Sequence, residues 1–310
     1  MKNKETFMQK TIVVWLGALI CCALWGSAFP CIKIGYQLFD IPSNAIASQI
    51  LFAGYRFTLA GILAIILGSV ISRKVLIPKQ ESLPKIGKLC MMQTVIQYLF
   101  FYVGLANTSG VKASIIEAVN VFIAILVASI LFKQEKLTMQ KMIGCLIGFA
   151  GVVLINLNGN GLDMNLSFFG EGFIFLSTIA YAFSSVYLKK YSEEESPVVL
   201  SGYQFVLGGT IMIICGLAAG GKVHGFTVSS TAMLIYLALI SAVAYSLWGI
   251  LLQYNPISRV SVFGFMNPVC GVILSAVLLG EQDQAVGVKS LIALVLVCIG
   301  IYVVNDVRKQ

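Results

Sequence analysis

The sequence predicts an all-α integral membrane protein with ten transmembrane helices, arranged as two inverted five-helix repeats around a central cavity. Three observations lead to this fold class. The chain of 310 residues is 58% hydrophobic and only 11% charged, whereas soluble domains carry about 25% charged residues. Apolar runs long enough to cross a bilayer, about 20 residues each, recur along the chain. The two halves of the chain also share motifs in the same order.

The apolar runs are continuous and do not alternate with period two, which favours helices that pair their backbone groups internally. The first run follows Lys10. It is too long for the apolar part of a signal peptide and no small-residue cleavage site follows it, so we expect it to be retained as a helix. The spans that we expect are 12–36, 45–71, 86–106, 111–132, 138–157, 168–189, 198–219, 230–253, 257–279 and 285–305.

Basic residues predict the orientation of these helices. With the amino terminus in the cytoplasm, the outer segments hold only Lys112, Lys222 and Lys289, and most other Lys and Arg residues lie inside. This positive-inside bias predicts a multi-pass protein of the inner or plasma membrane with both termini cytoplasmic. The net charge of +8 is spread over short loops, which argues against nucleic acid as a partner.

The internal repeat is clearest in the second and seventh helices. Residues 54–61 read GYRFTLAG and residues 202–209 read GYQFVLGG, which agree at five of eight positions. We therefore divide the chain into a first repeat, 1–160, and a second repeat, 161–310. Five helices per repeat is an odd number, so the halves take opposite orientations, as in many secondary transporters. Further matched pairs are Trp25 with Tyr181, Tyr98 with Tyr245, Phe101 with Trp248, and Gly151–Asn156 with Gly300–Asn305.

A set of motifs lies in fixed order along the chain: Leu24-Trp25-Gly26-Ser27, Lys33, Arg56-Phe57, Glu135 followed by Gly144 and Gly151, and Asn267-Pro268. In this order they resemble the EamA-type members of the drug/metabolite transporter superfamily over nearly the whole chain. The resemblance implies ten helices, cytoplasmic termini, a central cavity and alternating access. It also implies a secondary transporter, typically an exporter, of small organic metabolites such as amino acids or related compounds.

Two other classes of function stay open as alternatives, a facilitative channel-like permease and a membrane-embedded enzyme. The sequence contains no His-Glu-x-x-His, Gly-x-Ser-x-Gly, Cys-x-x-Cys or Walker A motif, which argues against an enzyme and against direct use of ATP. The eight cysteines lie in apolar runs without metal-ligand spacing, so we expect no metal and no cofactor. The expected partners are a small-molecule substrate, the lipid bilayer and protons as a candidate coupling ion, for a monomer or homodimer.

Arg56 is the strongest single signal for a binding site. It lies about 12–15 Å along its helix, where a charge is unfavourable by at least about 2.5–3.5 kcal/mol unless it faces a cavity or a partner. One interpretation is an anchor for a carboxylate or phosphate, which a guanidinium binds with two parallel hydrogen bonds. The other is a structural pair with Glu117 or with helix-end carbonyls. Glu117 is in turn either a proton-coupling or cation-binding carboxylate, or the counter-ion of Arg56.

Aromatic and polar side chains on other helices are candidate walls of the cavity, because aromatic rings stack on flat solutes and attract cations. They also pack between helices, and that alternative stays open. Lys33 either lines the cavity or extends to the membrane surface, and Gln204, the match of Arg56, is expected across the same cavity. Pro30 and Pro268 are candidate hinges or static kinks. The remaining substrate-binding candidates are Trp25, Tyr98, Tyr102, Tyr181, Tyr245, Trp248 and Asn267.

Overall fold

The computed structural model of the protein describes residues 7–108, 110–156, 167–279 and 288–306, and every regular element in these ranges is helical. Nine of the described helices are long and apolar enough to cross a membrane, and one shorter apolar helix follows them. The all-α membrane fold is thereby confirmed. The helices are α1 (Thr11–Leu38), α2 (Ile46–Ser72), α3 (Gln80–Ala106), α4 (Lys112–Leu131), α5 (Met139–Asn156), α6 (Phe168–Tyr191), α7 (Pro197–Ala218), α8 (Val228–Tyr254), α9 (Ile257–Leu274) and α10 (Val288–Asn305).

These bounds agree with the expected spans to within a few residues for most helices. The boundary expected between the repeats, at 160 and 161, and the expected start of the tenth helix at 285 lie outside the described residues. Four helices are less regular than their sequences suggest, and one of them, α6, begins with a π-helical stretch, Phe168–Gly172. A π-helical stretch, Cys90–Ile96, interrupts α3, another, Val127–Leu131, ends α4, and a 3₁₀ turn, Val262–Phe265, divides α9.

Helices α2 and α7 pack backbone against backbone along the two matched segments. A Cβ atom added to Gly61 would lie 2.4 Å from the carbonyl oxygen of Gly202, and one added to Gly209 would lie 2.8 Å from the carbonyl oxygen of Gly54. Small residues allow this close approach of membrane helices. Because the four glycines occupy matched positions of the two repeats, the joint has the two-fold character expected of an inverted repeat.

Helices α5 and α10 form a second joint of the same kind. A Cβ atom on Gly300 would lie 2.6 Å from the carbonyl oxygen of Gly144. The matched residues Asn156 and Asn305 also make the same bond, each donating its side-chain amide at 2.9 Å to the carbonyl four residues earlier. The two halves therefore share local structure as well as sequence.

Both ends of the described chain lie at one end of the bundle, which we call the terminal side. Near the amino terminus, the Gln9 side chain donates to the carbonyl of Tyr254 at 3.3 Å. Near the carboxyl terminus, the Gln140 side chain donates to the carbonyl of Asp306 at 2.7 Å. We call the other end of the bundle the opposite side.

Candidate functional site

A cavity lies between the two halves, with walls from α1, α2, α3, α4, α6, α8 and α9. It contains about 990 Å³ of space free of protein atoms, including its open mouth. The lining residues are Trp25, Ala28, Phe29, Ile32, Arg56, Gln97, Tyr98, Phe101, Tyr102, Ser114, Glu117, Ala118, Asn120, Ser177, Thr178, Tyr181, Tyr245, Gly264, Asn267 and Pro268.

The cavity lies in the half of the bundle nearer the opposite side. Arg56 is ten residues beyond Ile46, about 15 Å from that end of α2 at about 1.5 Å per residue. Toward the terminal side the bundle is packed, and Leu188, Leu251 and Ile257 are at most 1% exposed. The structure is therefore a conformer in which the terminal-side half is closed beneath the cavity.

The side chain of Arg56 is 4% exposed, and its Nε donates to the hydroxyl of Ser241 at 3.1 Å. Ser241 donates in turn to the carbonyl of Leu237 at 3.1 Å, which fixes the direction of its lone pairs toward the guanidinium. Among the described residues, no carboxylate lies within 4.0 Å of Arg56, and its two Nη groups have no protein acceptor. The cavity wall therefore holds a guanidinium whose bidentate edge is unused.

Glu117 lines the same cavity from α4, about 10 Å from the first helical residue, Gly110. Its carboxylate makes no hydrogen bond or ion pair with the residues that the structure describes. Glu117 and Arg56 therefore form no direct ion pair in this conformer. The Arg56 guanidinium and the Glu117 carboxylate instead line one cavity without contacting each other, so a solute with an anionic and a cationic group would find a partner for each.

Aromatic rings form the part of the wall nearest the bundle centre. The ring of Trp25 packs edge-on against Tyr245, with centroids 5.1 Å apart, and against Trp248 at 5.0 Å. The hydroxyls of Tyr98 and Tyr245 lie 2.9 Å apart and share a hydrogen bond. Because Tyr98 and Tyr245 are matched residues of the two repeats, the two-fold relation of the halves passes close to this bond.

A second matched pair meets beside it. The rings of Phe57 and Phe205 stack, with centroids 5.2 Å apart and planes 15° from parallel. Each follows a matched polar residue, Arg56 in α2 and Gln204 in α7. The rings therefore separate the two polar positions, and only Arg56 reaches the cavity.

Three buried polar atoms at the cavity wall have no hydrogen-bond partner in the described part of the chain: Nε1 of Trp25, Oε1 of Gln97 and Oδ1 of Asn267. An unpaired buried polar group is unfavourable by about 1–3 kcal/mol. All three atoms are enclosed by protein in this conformer, so a solute or water can pair with them only if the wall moves.

The two prolines within helices differ in their relation to the cavity. Pro268 lines it and removes the amide hydrogen that would bind the carbonyl of Gly264, another lining residue. Pro30 is buried in α1 and does not line it. Its missing amide frees the carbonyl of Gly26. There α1 contacts α9 so closely that a Cβ on Gly26 would lie 2.5 Å from the Cβ of Cys270.

Three other candidates lie away from the cavity wall. Lys33 is exposed near the opposite-side end of α1. Trp248 is 3% exposed and packs behind Trp25. Gln204 is 0% exposed and hydrogen-bonds to Thr94 and Gln93 of α3.

Several lining residues were not singled out from the sequence. They are small or amide side chains within otherwise apolar runs, and their polarity at membrane depth is the signal that could have found them. These additional polar lining residues are Gln97, Ser114, Asn120, Ser177 and Thr178.

In the parts of the chain that the structure describes, no three His, Cys, Asp or Glu side chains come together to hold a metal ion.

A buried polar network closes the terminal side. The Glu135 carboxylate accepts from the Ser258 amide at 3.0 Å and from its hydroxyl at 2.5 Å, at the start of α9. Lys141 of α5 pairs with the same carboxylate at 2.9 Å, and both side chains are 6% exposed. Glu135 thus joins the end of α4, in the first half, to the start of α9, in the second.

A more exposed ion pair crosses the same side. Lys85 of α3 contacts Glu194 in the connection between α6 and α7. Its hydrogen bond and charge hold the pKa of the Glu194 carboxyl below the usual value of 4.5. Because Glu194 is 65% exposed, this contact adds little to the closure that Glu135 makes.

The sequence model of the EamA-like transporter family matches residues 12–157 and 168–306. A relative from Archaeoglobus fulgidus, called an uncharacterized transporter, is 28% identical over 301 residues, covering 96% of this chain and 99% of its own. The uncharacterized inner membrane transporter YedA of Escherichia coli K12 is 26% identical over 295 residues, covering 90% of this chain and 88% of its own.

A solved crystal structure has a similar fold, with a TM-score of 0.75. The two chains are 17% identical, and the similarity covers 94% of this chain and 96% of the other. At that identity the likeness concerns the arrangement of the helices alone.

Proposed function

The chain belongs to the EamA-like transporter family, and from that premise we propose that it carries a small organic solute across the membrane by alternating access. The solute binds in the central cavity while the terminal side is closed, as in this structure. The cavity then closes and the terminal half opens. The site lies between the repeats 1–160 and 161–310, where inverted-repeat carriers bind their substrates.

The observation that carries this proposal is the unused edge of Arg56. A buried guanidinium without a carboxylate partner strongly favours an anion within reach of its Nη groups. Carboxylate and phosphate oxygens match the spacing of those donors. The solute therefore carries an anionic group that binds Arg56.

The remaining wall defines the rest of the solute. Trp25, Tyr98 and Tyr245 contribute aromatic side chains to the wall, and Gln97 and Asn267 contribute side-chain amides. An amino acid or a related metabolite has an anionic group, donors and an apolar body of suitable size. Such compounds are the substrate class that we propose.

Glu117 is the proposed coupling group. Its carboxylate lines the cavity and makes no ion pair with the described residues. Protonation would remove an unpaired charge from a site of low polarity, so a proton could bind and leave as the cavity opens and closes. We assign the terminal side to the cytoplasm on the distribution of lysine and arginine. Export would then start from the alternate conformer.

A thermal-shift screen of the purified protein tests this function. Its panel contains amino acids, nucleobases, sugar phosphates and lipophilic cations. A compound that binds the folded state raises the Tm by mass action. The matched variants are Arg56→Gln, in the cavity, and Arg73→Gln, at the exposed end of the same helix.

We expect an anionic or zwitterionic compound to raise the Tm of the natural protein and of Arg73→Gln, and to leave that of Arg56→Gln unchanged. A hit that both variants retain equally would contradict the anchor role of Arg56. Hits confined to lipophilic cations would contradict the proposed substrate class.

A further inference from the structure

The polar contact made by Arg56 has a matched copy elsewhere in the fold. Tyr98 of α3 and Tyr245 of α8 are matched residues, so four residues earlier Thr94 corresponds to Ser241. Ser241 hydrogen-bonds to Arg56 of α2. In the same way, Thr94 donates to Oε1 of Gln204 in α7 at 2.7 Å.

The two copies differ in exposure and in charge. Arg56 reaches the open cavity. Gln204, Thr94 and Gln93 are 0%, 0% and 1% exposed. Gln204 also donates to the side-chain oxygen of Gln93 at 3.2 Å, so the buried copy is a closed set of neutral amide and hydroxyl groups.

The backbone around the buried copy is also irregular. Gln93 and Thr94 lie within the π-helical stretch Cys90–Ile96, which interrupts α3. Such stretches turn side chains away from the register of the α-helix and occur frequently at functional sites. Ser241, by contrast, lies in the continuous helix Val228–Tyr254.

We propose that Gln93, Thr94 and Gln204 form a second substrate subsite, which opens to the terminal side in the alternate conformer. The inference rests on the proposed alternating access. Alternating access in such carriers is largely a rigid-body movement of one repeat against the other. Because α3 and α7 belong to different repeats, we expect this movement to bury the contact of Arg56 and to open its matched copy. In the alternate conformer, the second subsite offers neutral donors and acceptors to the anionic group of the solute, which binds Arg56 in the conformer seen here.

The asymmetry has a consequence for transport. An anion leaves a charged guanidinium on one side and meets only amides and a hydroxyl on the other, so its affinity is higher in the conformer seen here. Release toward the terminal side is then faster than release toward the opposite side. This difference affects the kinetics on the two faces and leaves the equilibrium distribution to the driving gradient.

Sided chemical labelling of membrane vesicles tests the subsite without a known substrate. Thr94→Cys reports on the buried copy, and Ser114→Cys, which lines the open cavity, identifies the opposite side in the same vesicles. The probes are two membrane-impermeant methanethiosulfonates, one bearing a sulfonate and one a trimethylammonium group. Peptide mass spectrometry assigns the modified residue, and the natural protein gives the background of its own cysteines.

We expect Thr94→Cys to react from the terminal side alone and Ser114→Cys from the opposite side alone. Thr94→Cys should not favour either charge. Adding Gln204→Arg should raise the sulfonate-to-trimethylammonium rate ratio by about tenfold or more, because a charge about 5 Å away is worth more than that at an effective dielectric constant of about 20.

Reaction of Thr94→Cys from the opposite side would make the cluster part of the cavity already described and overturn the proposal. No reaction from either side, in vesicles where Ser114→Cys reacts, would make the cluster a structural contact and overturn the proposal. Failure of the natural protein to exchange any compound of the thermal-shift panel would refute the transport function instead, which keeps the two failures apart.

Discussion

The joint between α2 and α7 should tolerate no side chain at Gly61. A Cβ atom there would lie 2.4 Å from the carbonyl oxygen of Gly202 and 2.6 Å from the backbone nitrogen of Val206. Both are backbone atoms, so neither can rotate away. An ordinary van der Waals contact of a Cβ atom is 3.4 Å or longer. Gly61→Ala must therefore push α2 and α7 apart by up to about 1 Å, the difference between 3.4 Å and 2.4 Å.

Overpacking of this kind lowers the free energy of unfolding by about 1–3 kcal/mol. Gly87→Ala is the matched control, because a Cβ at Gly87 of α3 would meet nothing within 4 Å. Alanine there should be neutral or stabilising by about 0.5–1 kcal/mol, since it favours the helix. The assay is the Tm of each variant in detergent, together with solute flux in proteoliposomes.

Equal unfolding temperatures of Gly61→Ala and Gly87→Ala would refute a tight contact between α2 and α7 at Gly61. It is also refuted if both variants lose stability equally, because the loss would then follow from alanine in a membrane helix and not from contact between α2 and α7. A Gly61→Ala protein that folds but transports slowly would support the role of this joint in holding the two matched segments together.

Four further variants test the polar groups. Because no ion pair joins Arg56 to Glu117, the double variant Arg56→Gln with Glu117→Gln should not recover transport, and recovery would make the pair structural. Glu117→Gln alone should abolish pH-driven accumulation of solute while solute exchange persists. Glu135→Gln should lower the free energy of unfolding by about 3–5 kcal/mol, the effect of breaking a buried ion pair, and an unchanged Tm would contradict the terminal-side closure. The contact with Lys85 lowers the pKa of Glu194. The stabilisation of the fold by this contact is therefore present above the ordinary carboxyl pKa and is lost as the pH falls through the lowered pKa. The Tm difference between Glu194→Gln and the natural protein should vanish in acid, and a difference that persists there would contradict an ion pair between Lys85 and Glu194.

Helix positions could be predicted from the sequence because each apolar run is long enough to span a bilayer and backbone groups in lipid must pair within the run. The matched segments 54–61 and 202–209 were expected on opposite sides of one cavity, but they pack directly against each other, because their glycines let the two backbones meet. The π-helical stretch Cys90–Ile96 could not be predicted, because nothing in its composition distinguishes it from the helix around it. Within it, Thr94 donates to Gln204 of α7, a contact that a sequence alone does not reveal.

The candidate site could be predicted in kind and only partly in detail. Arg56 stands out because a charge within an apolar run needs a partner or a cavity. Gln97 is equally deep, but a neutral amide gives a weaker signal, and its place on the wall depends on the rotation of α3. Gln204 matches Arg56 in sequence, yet it is buried, because its side chain packs against Thr94 and Gln93 of α3.

Solute counterflow in proteoliposomes tests the central claim, alternating access, most directly. Liposomes loaded with an unlabelled hit from the thermal-shift panel should take up the same labelled compound transiently above equilibrium, because the solute inside returns the carrier to its outward conformer. Arg73→Gln should behave as the natural protein does, and Arg56→Gln should show no overshoot. Flux that is linear in concentration and unaffected by solute on the other side would contradict the account, since it would identify a channel-like pore in place of a carrier.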